Sequence, residues 1–268
     1  MRLLWLVLAL LVPPAATALE ITLRGTLEQG ALLYGFAEPG SVVTLEGEPV
    51  PVLPDGRYLI GLDRDAPGKV TLSLTGSDGD VQTLPLEIAP RTYDIQRIDG
   101  LPPEQVTPPQ ELLERIARER ESLVAARATL SLSDDWAAGF AWPAEGPITG
   151  VYGSQRILNG EPRQPHYGLD VAVPVGTPVA APAAGVVVLA AEDYFYQGTV
   201  VVIDHGLGLM STLMHLSALE VAVGDRVTQG EVVALSGKSG RVTGAHLDWR
   251  VSWRGSWIDP AQLVPPRD

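Results

Sequence analysis

Four histidines and two aspartates are the residues of this sequence whose types and spacing could bind a metal ion. All four histidines lie in the last two-fifths of the chain, interleaved with the two aspartates. Neutral imidazole and ionised carboxylate are ordinary zinc ligands. The pattern therefore indicates a metal site assembled from distant segments, and its candidate residues are His166, Asp170, His205, His215, His246 and Asp248.

His166 and Asp170 are four residues apart in a segment whose composition disfavours a helix. Pro165, Gly168 and the β-branched run that begins at Val171 all argue for extended or turning backbone. In a straight strand, residues four apart would lie roughly 13 Å from each other, too far to share one ion. The chain must therefore bend here, and Gly168 permits a bend.

His246 and Asp248 are two residues apart in a segment that is typical of a β-strand. Alternate residues of a strand project from the same face. This pair can therefore point into one site without any bend.

From about residue 142 to 260 the sequence resembles the LytM/lysostaphin-type zinc metallopeptidases. The family signature is an early His-x-x-x-Asp, a late His-x-His and a histidine between them, and His166, Asp170, His215 and His246 match it. The segments 176–179, 181–187 and 223–230 are similar to the family's spacers. One position departs, since Asp248 stands where the family has the second histidine of His-x-His.

The resemblance implies Zn²⁺ bound by His166, Asp170 and Asp248, with water at the open position of a catalytic zinc site. It also implies that His215 and His246 are not ligands but transfer protons and hydrogen-bond the oxyanion. The implied substrate is a peptidoglycan peptide. Three further residues lie near the ligand strand in sequence and are expected to line the groove: Trp249, Arg241 and Thr243. His205, at a predicted strand end, is interpreted as structural.

Asp248 also changes the charge expected at the zinc. Two carboxylates and one imidazole leave the site formally neutral, so the bound water should be acidified less than in the family pattern. We therefore expect activity that is weaker or shifted to higher pH.

Composition excludes several classes of partner and anchor. The chain has 268 residues, a formal net charge of −13 and no cysteine. Without a basic run, nucleic acid is not an expected partner, and an acidic surface is not attracted to anionic lipid. The absence of cysteine excludes disulfides and thiolate ligands.

Residues 1–18 are typical of a signal peptide. A single charge at Arg2 precedes an apolar run from Leu3 to Val12, and Ala16 and Ala18 form an A-x-A cleavage site. A membrane anchor would need about 17–25 apolar residues, and Pro13 ends this run too early. We expect an exported protein without a membrane anchor after cleavage, located in the periplasm or at the cell wall.

The predicted fold is mainly β. In residues 19–92, apolar and polar residues alternate along short runs that are separated by regular turn signals. This pattern predicts a small antiparallel β-sandwich. Residues 93–135 are predicted to be a linker with one amphipathic helix, capped by Thr107 and ending near Thr129. Its apolar stripe is Leu112, Leu113, Ile116, Leu123 and Val124. The pattern of residues 136–268 predicts a series of β-strands. The resemblance implies that these strands form the family's antiparallel sheet, a fold known as the duplicated hybrid motif.

Three functions of different class remain open. The first is an exported zinc endopeptidase that cuts peptidoglycan cross-links. The second is a catalytically weakened relative that binds cell wall or activates a wall amidase through a protein partner. The third is a biotinyl- or lipoyl-type carrier, suggested by segment 223–230, but Lys238 lacks the flanking residues that such carriers have.

Overall fold

The computed structural model describes residues 21–100, 102 and 107–267. The predicted signal peptide lies outside these residues. In the described part of the chain, no helix is both long enough and apolar enough to cross a membrane.

The amino-terminal part folds as two antiparallel sheets, as the alternating pattern predicted. The three-stranded sheet has the order β1-β2-β5 and the four-stranded sheet the order β4-β3-β6-β7. In β6, Val70, Leu72 and Leu74 point inward while their neighbours are partly exposed, which is the expected period of two. The strands are β1 (Thr22–Arg24), β2 (Leu32–Phe36), β3 (Val42–Leu45), β4 (Glu48–Val50), β5 (Arg57–Gly61), β6 (Lys69–Thr75) and β7 (Val81–Glu87).

The segment predicted to be a linker contains one strand in addition to the helix. β8 (Ile95–Ile98) pairs in parallel with β10 (Gln155–Leu158) of the carboxy-terminal part. Helix α1 (Gln110–Arg127) begins after Pro109, with Glu111 in its first turn. The predicted Thr107 cap is wrong, because no side chain caps this helix and the Thr107 hydroxyl accepts a hydrogen bond from Arg163 Nη2 instead.

Only part of the predicted apolar stripe of α1 is buried. Leu123 packs on one face of the carboxy-terminal sheet, in a cluster with Val200, Val202, Met210 and Met214. Leu113 and Val124 remain exposed. The helix therefore lies over the sheet as a connector, but it leaves space between its carboxy-terminal half and the strands.

The carboxy-terminal part is an antiparallel sheet whose main path runs β17-β14-β15-β16-β19-β12-β9. Strand β18 pairs with β13 and β16, and β20 pairs with β19. The predicted strands are all present within these elements, and between residues 136 and 267 the only helical element is a short 3₁₀ turn, Pro260–Gln262. The remaining strands are β9 (Ile148–Gly150), β11 (Glu161–Pro162), β12 (Gly168–Val171), β13 (Pro178–Ala180), β14 (Gly185–Tyr194), β15 (Gly198–Asp204), β16 (Leu209–Leu219), β17 (Arg226–Val227), β18 (Val232–Ser236), β19 (Leu247–Trp253) and β20 (Ser256–Ile258).

The two parts share one continuous buried core. Gly61 of β5 lies so close to β19 and β20 that a Cβ there would be 2.8 Å from Ile258 Cδ1 and 2.9 Å from Trp253 Cβ. Trp136 packs against Tyr34, with ring centroids 5.7 Å apart. The inner face of the carboxy-terminal sheet therefore rests on the amino-terminal domain, and the opposite face carries α1 and the polar candidates other than His205.

Candidate metal centre

His166, Asp170 and Asp248 come together as the sequence predicted. Each offers one ligand atom, and these atoms all lie within 4.8 Å of one another. All three residues are buried. His166 Nε2 lies 3.1 Å from Asp170 Oδ1, so the two side chains meet across the four-residue spacing.

Strand register explains why the two aspartates meet. Asp170 of β12 and Asp248 of β19 are direct partners in the antiparallel ladder, so their side chains project from the same face. Gly168 is needed for space rather than for a bend. A Cβ at Gly168 would lie 2.5 Å from the Trp249 carbonyl oxygen and 2.7 Å from Asp248 Oδ1.

The polar atoms of this cluster fit a bound cation. Both ring nitrogens of His166 and the Oδ1 atom of Asp170 are buried and make no well-aligned hydrogen bond, although His166 Nε2 and Asp170 Oδ1 face each other at 3.1 Å. Buried polar atoms are almost always satisfied, and imidazole nitrogen with carboxylate oxygen is a zinc donor set. The orphaned atoms and their spacing therefore match a metal ion held by His166, Asp170 and Asp248.

Two arginines that the sequence interpretation missed pair with the carboxylates. Arg250 Nη2 donates to Asp248 Oδ2 at 2.7 Å, and Arg156 Nη2 donates to Asp170 Oδ2 at 3.3 Å. Arg250 was predictable in principle, because it lies two residues after Asp248 on the same strand face. Arg156 was not, because it reaches the site from β10, whose neighbour β8 was not predicted.

These arginines keep the carboxylates ionised against their burial. Burial acts most strongly and raises the pKa of Asp248, but Arg250 and His166 outweigh it and hold that pKa well below its usual value. For Asp170, burial and the Asp248 charge raise the pKa, and His166 and Arg156 bring it below its usual value. Both carboxylates are therefore anionic at neutral pH and able to act as ligands.

His215 and His246 lie side by side at the edge of the cluster. Their ring centroids are 4.8 Å apart, and His246 Nε2 is 3.8 Å from Asp170 Oδ1. His215 Nδ1 lies 2.9 Å from the Ser239 carbonyl oxygen, and His246 Nδ1 lies 2.9 Å from that of Gly244. Since a carbonyl can only accept, each Nδ1 carries the proton, and each Nε2 of the neutral ring keeps a free lone pair.

A β-bulge places His215 in this position. Val201 pairs with Leu213 and Thr199 pairs with Leu216, so β16 contains one residue more than β15 over this stretch. His215 adopts φ 64° there, a conformation uncommon for a residue with a side chain. Burial lowers the pKa of His215 to about 4, so its ring is neutral at neutral pH.

Of the three residues expected to line the groove, two do so. Arg241 and Thr243 line a cavity of about 150 Å³ together with Asp170, His215 and His246. The prediction for Trp249 is wrong. As the odd neighbour of Asp248 and Arg250 in β19, it points to the opposite face, where it is fully buried and donates from Nε1 to Ser211 Oγ at 3.2 Å.

His205 belongs to the core rather than to the site. Its Nδ1 donates to the Ala184 carbonyl oxygen at 2.6 Å and its Nε2 lies 2.9 Å from Ser211 Oγ. Phe140 packs edge-on against its ring. These contacts fit the structural role that the sequence interpretation assigned to it.

The mainly antiparallel domain, the buried His/Asp/Asp cluster and the two adjacent histidines match the arrangement that the LytM/lysostaphin-type resemblance implied. Residues 164–260 match peptidase family M23, and the carboxy-terminal part of the chain is an M23 peptidase domain. This confirms the LytM/lysostaphin-type resemblance.

Named relatives agree with this placement. Peptidoglycan DD-endopeptidase ShyA of Vibrio cholerae is 45% identical over 102 residues, which are 38% of this chain and 24% of ShyA. An NlpD/LppB lipoprotein homologue of Pseudomonas aeruginosa is 33% identical over 129 residues, 48% of this chain and 41% of that one. The chain thus matches about a quarter of the endopeptidase.

One solved structure covers both parts of the fold. A crystal structure of a candidate M23 peptidase from Pseudomonas aeruginosa is 29% identical and superposes with a TM-score of 0.68. The superposition covers 88% of this chain and 94% of that one. The combination of amino-terminal β domain and peptidase sheet is therefore shared with that protein.

Proposed function

We propose that this chain is an exported zinc metalloendopeptidase that hydrolyses peptide cross-links of peptidoglycan. The observation that carries the proposal is the buried His166, Asp170 and Asp248 cluster, whose orphaned atoms fit a cation. The peptidoglycan endopeptidase among the relatives supports the substrate class. Export rests on the signal-peptide pattern of residues 1–18.

The chemistry divides between the ion and the two histidines. Zinc, when bound, supplies a Lewis acid and lowers the pKa of its water. The Nδ1 atoms of His215 and His246 donate to backbone carbonyls, which leaves each Nε2 available for proton transfer. One of them accepts the proton of the attacking water and later returns a proton to the leaving amine. The other takes up a proton from solvent on its Nε2 and donates it in a hydrogen bond to the oxyanion of the substrate carbonyl.

The test combines metal analysis with digestion of isolated sacculi by the purified mature protein. We expect one zinc per chain and release of un-cross-linked muropeptides, with both lost after treatment with a chelator. Zinc-loaded protein that releases no muropeptides would contradict the endopeptidase function.

A wall-binding or amidase-activating function is the second candidate. It is favoured by the Asp248 carboxylate, which departs from the family's histidine and is engaged by Arg250. This function predicts binding to sacculi without cleavage, and no dependence of that binding on zinc.

A further inference from the structure

A cavity of about 910 Å³ lies between α1 and the outer face of the carboxy-terminal sheet. Its charged lining consists of four arginines, Arg120, Arg127, Arg250 and Arg254, and one acid, Glu119. The Glu119 carboxylate is already used, because it accepts hydrogen bonds from Arg115 Nε at 2.6 Å and the Phe195 amide at 2.7 Å. In a chain of net charge −13, this cavity is a local concentration of positive charge.

Arg127 is the half-buried guanidinium in this cavity that lacks an acidic partner; Arg120 and Arg254 also form no ion pair in the described part of the chain, but both are exposed. The Arg127 Cζ lies 5.0 Å from the centre of the Trp257 ring, on which Tyr167 stacks at 5.4 Å. Burial and the nearby Arg250 lower the pKa of Arg127 to about 10. Among the described residues no carboxylate forms an ion pair with it. A charged, partly buried group of this kind is stabilised when an anion enters the cavity.

The cavity continues toward the metal cluster. A second cavity of about 280 Å³ shares Arg250 and Tyr196 with the first. The second in turn shares Arg156, Arg241 and His215 with the cavity beside Asp170 and His246. The three cavities therefore adjoin one another between α1 and the cluster. Together they are here called the arginine cleft, whose lining includes Arg127, Arg250, Arg241 and Arg156.

We propose that the arginine cleft binds a carboxylate-bearing peptide and holds it in line with the His166, Asp170 and Asp248 cluster. A planar guanidinium donates two parallel hydrogen bonds to one carboxylate. The Tyr167 and Trp257 rings form an apolar wall against which the apolar part of the peptide can pack. The inference rests on the proposed function, because it names the acidic stem peptide as the part of the substrate that is recognised.

The cleft extends beyond the M23 domain. Helix α1, residues 110–127, contributes Arg127 but lies outside the matched range 164–260. The connector between the domains is therefore one wall of the binding cleft, and recognition of the peptide depends on a segment that the peptidase domain does not contain.

Isothermal titration of the full chain with an un-cross-linked stem tetrapeptide tests this inference. The tetrapeptide is compared with the same peptide carrying amidated carboxylates, at low salt. Because charge-assisted hydrogen bonds are lost on amidation, we expect the amidated peptide to bind about tenfold more weakly. Arg127→Gln should weaken binding of the free peptide about tenfold and leave binding of the amidated peptide unchanged.

Arg118→Gln is the matched control, since it removes the same charge from an exposed position on the same helix, where 71% of the side chain is exposed. It should bind both peptides as the parent does. The inference is overturned if the parent binds both peptides with equal affinity, a comparison that needs no variant. It is also overturned if Arg127→Gln and Arg118→Gln lose equal affinity for the free peptide. Sacculus digestion separates the two proposals. If the protein cleaves sacculi but binds both peptides equally, only the proposed role of the arginine cleft is contradicted. If it binds the free peptide more tightly but does not cleave sacculi, only the endopeptidase function is contradicted.

Discussion

The Asp248 carboxylate completes the cluster with His166 and also pairs with Arg250. The expectation of a formally neutral zinc site counted only the three ligands. With Arg250 on Asp248 and Arg156 on Asp170, the surroundings gain two positive charges, which favour ionisation of a bound water. The expected shift of activity to higher pH is therefore offset, at least in part, by groups that lie beyond the ligands.

Asp248→Ala should release the metal and destabilise the fold. The variant leaves only His166 and Asp170 to hold the ion, and it leaves Arg250 without an acid. Removing one partner of a buried ion pair costs about 3–5 kcal/mol, and we expect the low end because Arg250 keeps 21% of its side chain exposed. Metal analysis and urea unfolding measure the two effects.

The double variant Asp248→Ala, Arg250→Met is the control for this prediction. It removes both charges, so it should recover most of the stability without recovering the metal. If Asp248→Ala alone binds zinc as tightly as the parent, Asp248 is not a ligand and the non-enzymatic function becomes the better one.

His215→Ala and His246→Ala should each abolish turnover while the metal stays bound. Loss of a general acid–base or oxyanion group typically lowers the rate by about 10²–10⁴-fold. Neither histidine belongs to the cluster of candidate ligands. Muropeptide release and zinc content are measured on the same preparations, and a variant that loses its zinc would move that histidine into the ligand set.

The site residues differ in how far sequence could predict them. His166, Asp170 and Asp248 were identified as ligands through the family resemblance, and the register that places Asp170 opposite Asp248 was seen only in the structure. Trp249 was misplaced because closeness in sequence was given more weight than alternation, which sends adjacent residues of β19 to opposite faces. Arg156 depends on a contact between distant segments, for which a single sequence holds no local signal.

At the scale of elements, the close approach of β12 and β19 fixes the geometry of the cluster. Gly168→Ala should weaken metal binding, because its Cβ would meet the Trp249 carbonyl oxygen at 2.5 Å. The backbone of two paired strands cannot shift without a cost in free energy. We therefore expect a destabilisation of about 1–3 kcal/mol. Zinc affinity and urea unfolding report both effects.

Gly68→Ala is the matched control, since a Cβ there meets nothing within 4 Å. It should change neither quantity. Unaltered zinc affinity in Gly168→Ala would show that the two strands tolerate a wider separation than this register implies.

His205 connects the residue before β14 to the third residue of β16 through its hydrogen bonds, and its burial makes stability depend on pH. Burial lowers its pKa from 6.5 to about 4, so the unfolded chain binds more protons than the folded one in this window. The contribution of His205 to the free energy of unfolding is therefore fully present above pH 6.5. It is lost as the pH drops toward 4, and the loss amounts to about 3 kcal/mol.

Urea unfolding of the parent and of His205→Gln between pH 7 and pH 4.5 measures this dependence. Glutamine cannot titrate, so the variant should show a flatter profile although it is less stable at pH 7. Identical slopes in the two proteins would assign the pH dependence to other groups, His215 among them.

Helix α1 and strand β8 show the limits of prediction at this scale. The helix was predictable because its acidic first turn and apolar spacing are local, and its observed end at Arg127 lies two residues from the expected one. Strand β8 is four residues long and pairs in parallel with a partner some sixty residues away. Its existence depends on that partner, so local composition could not reveal it.

At the scale of the whole molecule, the boundaries at residues 92 and 136 stay a prediction, and contacts cross both of them. Arg57 pairs with Asp134 at 2.7 Å, and Trp257 N donates to Asp63 at 3.0 Å. The sequence interpretation expected a fragment from Trp136 onward to fold alone. Such a fragment would expose Trp253 and Ile258, which are buried in the full chain.

We expect the mature chain to unfold in one cooperative transition, because a shared core couples the two parts. Calorimetry of the mature chain should show a single peak, and a fragment of residues 136–268 should melt at a lower temperature. Two separate peaks, with the fragment matching one of them, would show that the domains are independent.

The two guanidiniums beside the cluster also bear on the order in which the protein matures. Two carboxylates facing each other across β12 and β19 would repel in a chain that folds before it meets a metal ion. Arg250 and Arg156 lie 2.7 Å and 3.3 Å from those carboxylates. These two arginines therefore supply the counter-charges that the carboxylates need, so the chain can fold before the ion binds.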